Sequence, residues 1–210
     1  MAESLPNLYL ITDRHQLPKG HHLLDVIEAL LQAGLRMIQL REKDLTVAEL
    51  YPLAKKLRSL TQQYKSLLLI NDRLDLAQAI GADGVHLGNH SLPIKVARRI
   101  LGSKFLIGAS THSATEIEAA SQQGADFVTY GPIFFTPSKA AYGEPVGISS
   151  LQAICTTRTI PIYALGGIQA NNVKETMLAG AHGVAMISAL LSDLAPKHAF
   201  QKLSYSLSLV

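Results

Sequence analysis

An α/β fold, with eight parallel strands closed into a single (β/α)8 or TIM barrel over residues 1–210, is what this sequence predicts. Three observations carry that expectation. Short apolar runs alternate with stretches of helical spacing along the whole chain. The apolar runs are of two kinds, each recurring four times, so that a two-strand unit echoes fourfold. No Pro/Ser-rich boundary or low-complexity tract breaks the series into domains. An open doubly wound sheet is the alternative; the repeat favours closure, because an open sheet should show weaker end strands.

The first strand is "LYLITD" (8–13), followed by a helix over 22–33 that places Leu23, Val26, Ile27, Leu30 and Leu31 on one stripe. "AGLRMIQL", beginning near Gly34, is the second strand, and 46–63 is the second helix, with Leu50, Leu53, Leu57 and Leu60 on its apolar face. "SLLLIND" (66–72) nearly repeats strand one, and a helix over 74–80 leads to "GADGVHLG" from Gly81. Helix 92–101, strand "KFLIGAS" (104–110), helix 113–123 and strand "GADFVTYG" from Gly124 follow. The series closes with helix 148–155, strand "IPIYALGG" (160–167), helix 170–179, strand "GAHGVAMIS" from Gly180 and helix 194–208. Gly34, Gly81, Gly124 and Gly180 each read as the C-cap that releases a helix into the next strand.

Composition narrows the classes of function. Hydrophobic residues make up 48% and charged ones 17%, with a net charge of only +3. Like charges form no run, and the pairs Lys55–Lys56 and Arg98–Arg99 read as solvated helix faces, so nucleic acid is not an expected partner. Cys155 is the only cysteine, which excludes a disulfide within the chain and a cysteine metal site and suits a reducing cytoplasm. The start "MAESLPNLYLITDR" lacks the pattern of a signal peptide, and no apolar run nears the ~18 residues of a membrane span. A cytoplasmic protein with no membrane partner is expected.

The polar residues gather at the carboxyl ends of the strands, where barrels of this kind place their working site. Strand one ends in Thr12, Asp13 and Arg14; strand three in Asn71, Asp72 and Arg73; strand four in His86 and Asn89; strand five in Ser110, Thr111 and His112. Strand two ends in "QLREKD", with Gln39, Arg41 and Lys43 at alternate positions and so on one face. Arg41, Lys43 and Lys139 bring cations to one small cleft, the guanidinium suiting phosphate oxygens as a planar fork. Gly166 and Gly167 let backbone N–H groups approach a ligand after strand seven, and Ile187–Ser188 end strand eight, where this fold usually binds phosphate. Asp72 beside Asn71 offers a hard oxygen to Mg²⁺. Two anion-binding zones on one rim suggest two phosphorylated substrates. Blander readings exist for each residue: His86 is best taken as a satisfied core histidine, residues 110–113 could merely cap a helix, and Lys139 could sit in an ordinary turn.

The stretches "LYLITDR", "QLREKD", "LLINDRLDLA", "GADGVHLG", "IGASTHS", "GADFVTYGPIFFTPSK", "ALGGI" and "GVAMISAL" together resemble the thiamine-phosphate synthase family over nearly the whole chain. The resemblance implies the barrel fold and a transferase that joins hydroxymethylpyrimidine diphosphate to thiazole phosphate. It implies that Gln39, Leu40, Arg41, Glu42, Lys43 and Asn71 hold the pyrimidine diphosphate. Arg41, Lys43, Ser110 and Lys139 would act on its leaving group. Thr136, Ser138, Gly166, Gly167, Ile187 and Ser188 would take the thiazole phosphate. The family's reaction is viewed as dissociative: the bond to diphosphate breaks first, and the thiazole nitrogen attacks the resulting cation, so a lid over the site is expected in "FFTPSKAAYGEPVG" (134–147). The family is often dimeric, which leaves room for a homodimer.

One departure matters. Where the family reads "HLGQxD", this chain reads "HLGNHSL", so Ser91 stands at the position of a second Mg²⁺-binding Asp, with Asp72 as the first. A hydroxyl is a poorer Mg²⁺ ligand than a carboxylate. The departure keeps two other readings open. One is a TenI-like thiazole tautomerase, in which a histidine at the position of His112 shuttles protons. The other is a non-catalytic binder of thiamine precursors.

Overall fold

The computed structural model describes residues 5–136, 144–158 and 160–209. The strands are β1 (Leu8–Ile11), β2 (Met37–Leu40), β3 (Leu67–Asn71), β4 (Gly84–Leu87), β5 (Leu106–Thr111), β6 (Phe127–Tyr130), β7 (Ile162–Leu165) and β8 (Gly183–Met186). Each pairs in parallel with the next, and β8 returns to β1 through Leu8–Val184, Tyr9–Ala185 and Leu10–Met186. The sheet is therefore a closed barrel in chain order, and the open-sheet alternative is excluded.

Around it lie α1 (Leu23–Ala33), α2 (Val47–Gln63), α3 (Leu74–Ile80), α4 (Ile94–Leu101), α5 (Ala114–Gln122), α6 (Gly147–Thr157), α7 (Val173–Leu178), α8 (Ser188–Leu191) and α9 (Pro196–Ser208). Their starts follow local chemistry. Thr46 and Glu49 form a reciprocal capping box on α2, and Ser113 accepts from the Glu116 amide on α5. The glycines read as helix stops all have positive φ, as a C-cap requires. Two elements escape the periodicity: α8 and a 3₁₀ turn at Arg14–Gln16. Both are too short to repeat a helical pattern.

Strand alternation divides the core in two. Leu8, Leu10, Ile38, Leu40, Leu68 and Ile70 face the helices, whereas Tyr9, Ile11, Met37, Leu69, Phe127, Tyr163 and Ala185 fill the barrel. The large interior rings fit because their neighbours are glycine. A Cβ on Gly108 would come within 2.4 Å of Phe127 Cζ, and one on Gly183 within 2.8 Å of Tyr163 Cε1.

The amino-terminal rim is latched by the two "GAD" runs, residues 81–83 and 124–126. Asp83 accepts from the Leu68 amide and from Arg58 Nη1, each at 2.7 Å, tying α2 to β3 and β4. Asp126 repeats this with the Ile107 amide and Arg98 Nη2, each at 2.6 Å. Asp83→Ala leaves an amide and a half-buried guanidinium without their partner. It is expected to lower stability in urea unfolding by about 2 kcal/mol, while turnover of the folded protein stays unchanged, because this rim is remote from the carboxyl-end cleft.

Candidate active site

Two adjoining cavities open at the carboxyl ends of the strands. The first, of about 320 Å³, is lined by Gln39, Arg41, Lys43, Asn71, Asp72, Ser91, Ser110 and His112, among others. The second, of about 560 Å³, is lined by Thr136, Gly166, Gly167, Ile187 and Ser188, together with residues of α9. Leu165, Gly166 and Ile187 border both.

The first cavity takes its charge from the end of β2. Gln39 is buried inside the barrel, and its Nε2 donates to the Tyr9 hydroxyl at 2.8 Å. The Arg41 amide donates to Thr12 Oγ1 at 2.8 Å, and the Thr12 amide donates to the Gln39 carbonyl at 2.9 Å. Those bonds fix where Arg41 leaves the strand. Leu40 and Glu42 are not among the residues that line this cavity. Leu40 packs in the layer beneath the helices. Glu42 is buried against Arg14, accepting from its amide and from Nη1 at 3.1 Å each. Arg14 also binds Asp44, and that hydrogen bond is the chief reason the Asp44 carboxyl lies well below the usual carboxylate range. Asp13 accepts from the His15 amide at 3.1 Å, and Arg73 pairs with Asp75. Of the polar residues that end strand one, Asp13 and Arg14 brace loops.

The residues read as metal ligands lie side by side. Asp72 adopts a left-handed backbone with φ of 60°, a conformation Asp tolerates better than most residues. Ser91 Oγ donates to Asp72 Oδ1, Asn71 Nδ2 donates to Asp72 Oδ2 at 2.8 Å, and the Gly88 amide donates to Ser91 Oγ at 2.6 Å. Among the described residues no three His, Cys, Asp or Glu side chains cluster as a metal site. The donor set is thus one carboxylate with a hydroxyl and an amide. Such a set fits Mg²⁺ when substrate phosphate oxygens and water complete the shell.

Ser110 stands half-buried at the end of β5, with His86 Nε2 3.1 Å from its Oγ. His86 is buried, its Nδ1 3.3 Å from the Tyr9 hydroxyl, and burial pushes its pKa down to about 4. It is the satisfied core histidine expected, and it also lines the first cavity. Its contact with Ser110 was not legible, since it joins residues on different strands. His112 also lines the cavity; its amide donates to Glu116 Oε2 at 2.7 Å, and its Nδ1 lies 3.4 Å from that atom. Burial pushes the Cys155 thiol up to about 11, so thiolate chemistry is not available there.

In the second cavity the glycine pair has a further cause. Gly166 and Gly167 have φ of 99° and 66°, and the segment after β6 packs into the space their side chains would fill. A Cβ on Gly166 would meet Pro132 Cβ at 2.6 Å, and one on Gly167 the Phe135 carbonyl oxygen at 2.6 Å. Ile133 and Phe134 donate to the Leu165 and Gly166 carbonyls at 2.9 and 3.0 Å, which seats that segment between the cavities. Gly166→Ala adds both strain and a clash. It is expected to cost about 2 kcal/mol or more in unfolding experiments and to raise KM for a phosphorylated ligand of this cavity. Ser138, Lys139 and the middle of the expected lid, residues 137–143, lie outside the described residues.

A closed barrel with a cationic cleft and a glycine-turn cleft on its carboxyl rim defines a class: (β/α)8 proteins that handle phosphorylated small molecules. Comparison narrows it. The thiamine monophosphate synthase family matches residues 8–190. The chain is 54% identical over 197 residues to a protein of Geobacter sulfurreducens named as a candidate thiamine-phosphate synthase, covering 94% of this chain and 92% of that one. It is 43% identical over 188 residues to the thiamine-phosphate synthase of Dictyoglomus thermophilum, covering 89% and 83%. The solved thiamine phosphate pyrophosphorylase from Pyrococcus furiosus superposes with a TM-score of 0.87 at 34% identity, covering 97% and 96%. The chain belongs to the thiamine monophosphate synthase family. Among the described residues, no helix is long and apolar enough to cross a membrane.

Proposed function

We propose that this protein is a thiamine-phosphate synthase working as one domain. It joins hydroxymethylpyrimidine diphosphate to thiazole phosphate and releases diphosphate. Family membership supports the activity, and one observation carries its assignment to this site: two adjoining cavities on one rim, the first holding Arg41 and Lys43, the second a glycine turn. In the reaction the C–O bond to diphosphate breaks and the leaving group takes the electron pair. The thiazole nitrogen then bonds to the exposed methylene carbon. Arg41, Lys43 and Ser110 hold the departing diphosphate, joined by Lys139; preorganised charge at a leaving group acts more strongly in the transition state than in the ground state. Gln39 and Asn71 orient the pyrimidine diphosphate. Thr136, Ser138, the Gly166–Gly167 turn and the Ile187–Ser188 backbone take the thiazole phosphate. Because the cavities share a wall, the two reacting atoms meet without a diffusive step. Asp72, with Ser91, would hold Mg²⁺, which supplies positive charge to the same leaving group.

His112, facing the same cavity with Glu116 against its Nδ1, keeps a thiazole tautomerase as the second reading. One assay separates the readings. With both substrates and Mg²⁺, thiamine phosphate and diphosphate should appear in equal amounts, and omission of Mg²⁺ should suppress both. Isomerisation of a thiazole carboxylate phosphate without condensation would establish the tautomerase instead. Saturable binding without release of diphosphate would leave a binder.

A further inference from the structure

A chain of hydrogen bonds runs from the barrel interior to the rim, through residues of β1, β2, β4 and β5. Gln39 Nε2 donates to the Tyr9 oxygen at 2.8 Å, the Tyr9 oxygen lies 3.3 Å from His86 Nδ1, and His86 Nε2 lies 3.1 Å from Ser110 Oγ. Tyr9 has no solvent exposure, and Gln39 and His86 have almost none. In such surroundings every polar hydrogen needs a partner within the protein.

The direction of each bond follows from that requirement. A phenol has one hydrogen to give. The Tyr9 oxygen already accepts from Gln39, so its own hydrogen goes to His86 Nδ1. With Nδ1 accepting, the ring proton sits on Nε2 and points at Ser110 Oγ. The reverse order, with Nδ1–H donating to Tyr9, would give the Tyr9 oxygen two donors and leave its own hydrogen in need of a further acceptor at a site with no solvent exposure. The ring itself is held tightly. A Cβ on Gly108 would come within 2.6 Å of His86 Nδ1, so the imidazole occupies room that only glycine leaves on β5.

Resting on the synthase reading of the cleft, we infer that His86 is a positioning residue: its Nε2–H occupies the Ser110 oxygen and turns the Ser110 O–H into the cleft, as a donor to the departing diphosphate. A serine that donated inward to an unprotonated Nε2 would instead present lone pairs to the anion. The tautomer of one buried ring thereby decides whether Ser110 attracts or repels the leaving group. Tyr9 and Gln39 set that tautomer from inside the barrel.

The tautomer can be read without turnover. Two-bond ¹H–¹⁵N NMR correlations on the intact protein should show His86 with a protonated Nε2 and a bare Nδ1; a protonated Nδ1 with a bare Nε2 would overturn the inference. Kinetics supplies the second test. His86→Asn is expected to lower kcat roughly ten- to hundredfold, with KM for thiazole phosphate held within about twofold. His86→Gln, which keeps an amide N–H at the Nε2 position, should recover most of the loss. In a Ser110→Ala background, His86→Asn should cost nothing further, because the relay has lost its end point. A loss of equal size in both backgrounds would show that His86 acts only through packing. Absence of thiamine phosphate with the wild-type protein would sink the synthase reading and this inference together, whereas an active wild type with additive variants would sink the relay alone.

Discussion

Arg41→Ala should reduce kcat by about a hundred- to a thousandfold, the scale on which removing one preorganised donor at developing charge slows an enzyme. The size of the effect follows from how the residue is held. Its amide is pinned to Thr12 Oγ1, and Thr12 is pinned in turn to the Gln39 carbonyl. The guanidinium therefore leaves the strand at a fixed point and faces the first cavity beside Lys43. A charge placed in advance costs no reorganisation when the leaving oxygen becomes negative. Arg41→Lys is expected to recover only part of the loss, since an ammonium offers a point charge where the fork can meet two oxygens. KM for thiazole phosphate, which the proposed mechanism seats in the second cavity, should move little. A variant that lost kcat and thiazole phosphate affinity in the same proportion would contradict the division of the rim into two anion zones.

Asp72→Asn is the second large effect. Asparagine keeps the shape and tolerates the left-handed backbone found at this position, so the fold should persist while the charge is removed. Asp72 is the carboxylate that Ser91 and Asn71 hydrogen-bond, and so the candidate to serve Mg²⁺. Turnover at a fixed Mg²⁺ concentration should fall about a hundredfold or more, and added Mg²⁺ should restore only part of it. Ser91→Asp should act in the opposite sense, because Ser91 Oγ touches Asp72 Oδ1 and a second carboxylate would complete the pair. Half-maximal activation should then need less Mg²⁺. An unchanged Mg²⁺ requirement in Ser91→Asp would place the ion elsewhere.

Much of this architecture was legible in the residues alone. The strand alternation, the helical stripes and the glycine stops each rest on local geometry, and they led to the closed barrel without any distant contact. Gln39, Arg41 and Lys43 were legible as polar residues at alternate positions running off a strand end; β2 itself stops at Leu40, and all three line the first cavity. The side chains of Leu40 and Glu42 point elsewhere, Leu40 toward the helices and Glu42 to Arg14. Motif resemblance spans the whole stretch and does not separate side chains from backbone. What stayed hidden depends on residues far apart in sequence. Tyr9 and His86 are 77 positions apart, and nothing local to either marks their meeting. Gly108 reads as an ordinary strand glycine until the Phe127 and His86 rings occupy its space. Gly166 and Gly167 were read as freeing the backbone for a ligand, and the structure adds a second reason for glycine there: their missing side chains also make room for Pro132, Phe134 and Phe135.

In the proposed mechanism the two cavities divide the labour, one for the leaving group and one for the acceptor's phosphate. A crystal structure of the protein with thiamine phosphate, diphosphate and Mg²⁺ tests it most directly. Density for diphosphate against Arg41, Lys43 and Ser110, with Mg²⁺ at Asp72 and the phosphate of the product at the Gly166–Gly167 turn, is the predicted result. Diphosphate bound at the glycine turn, or product phosphate seated on Arg41 and Lys43, would contradict it.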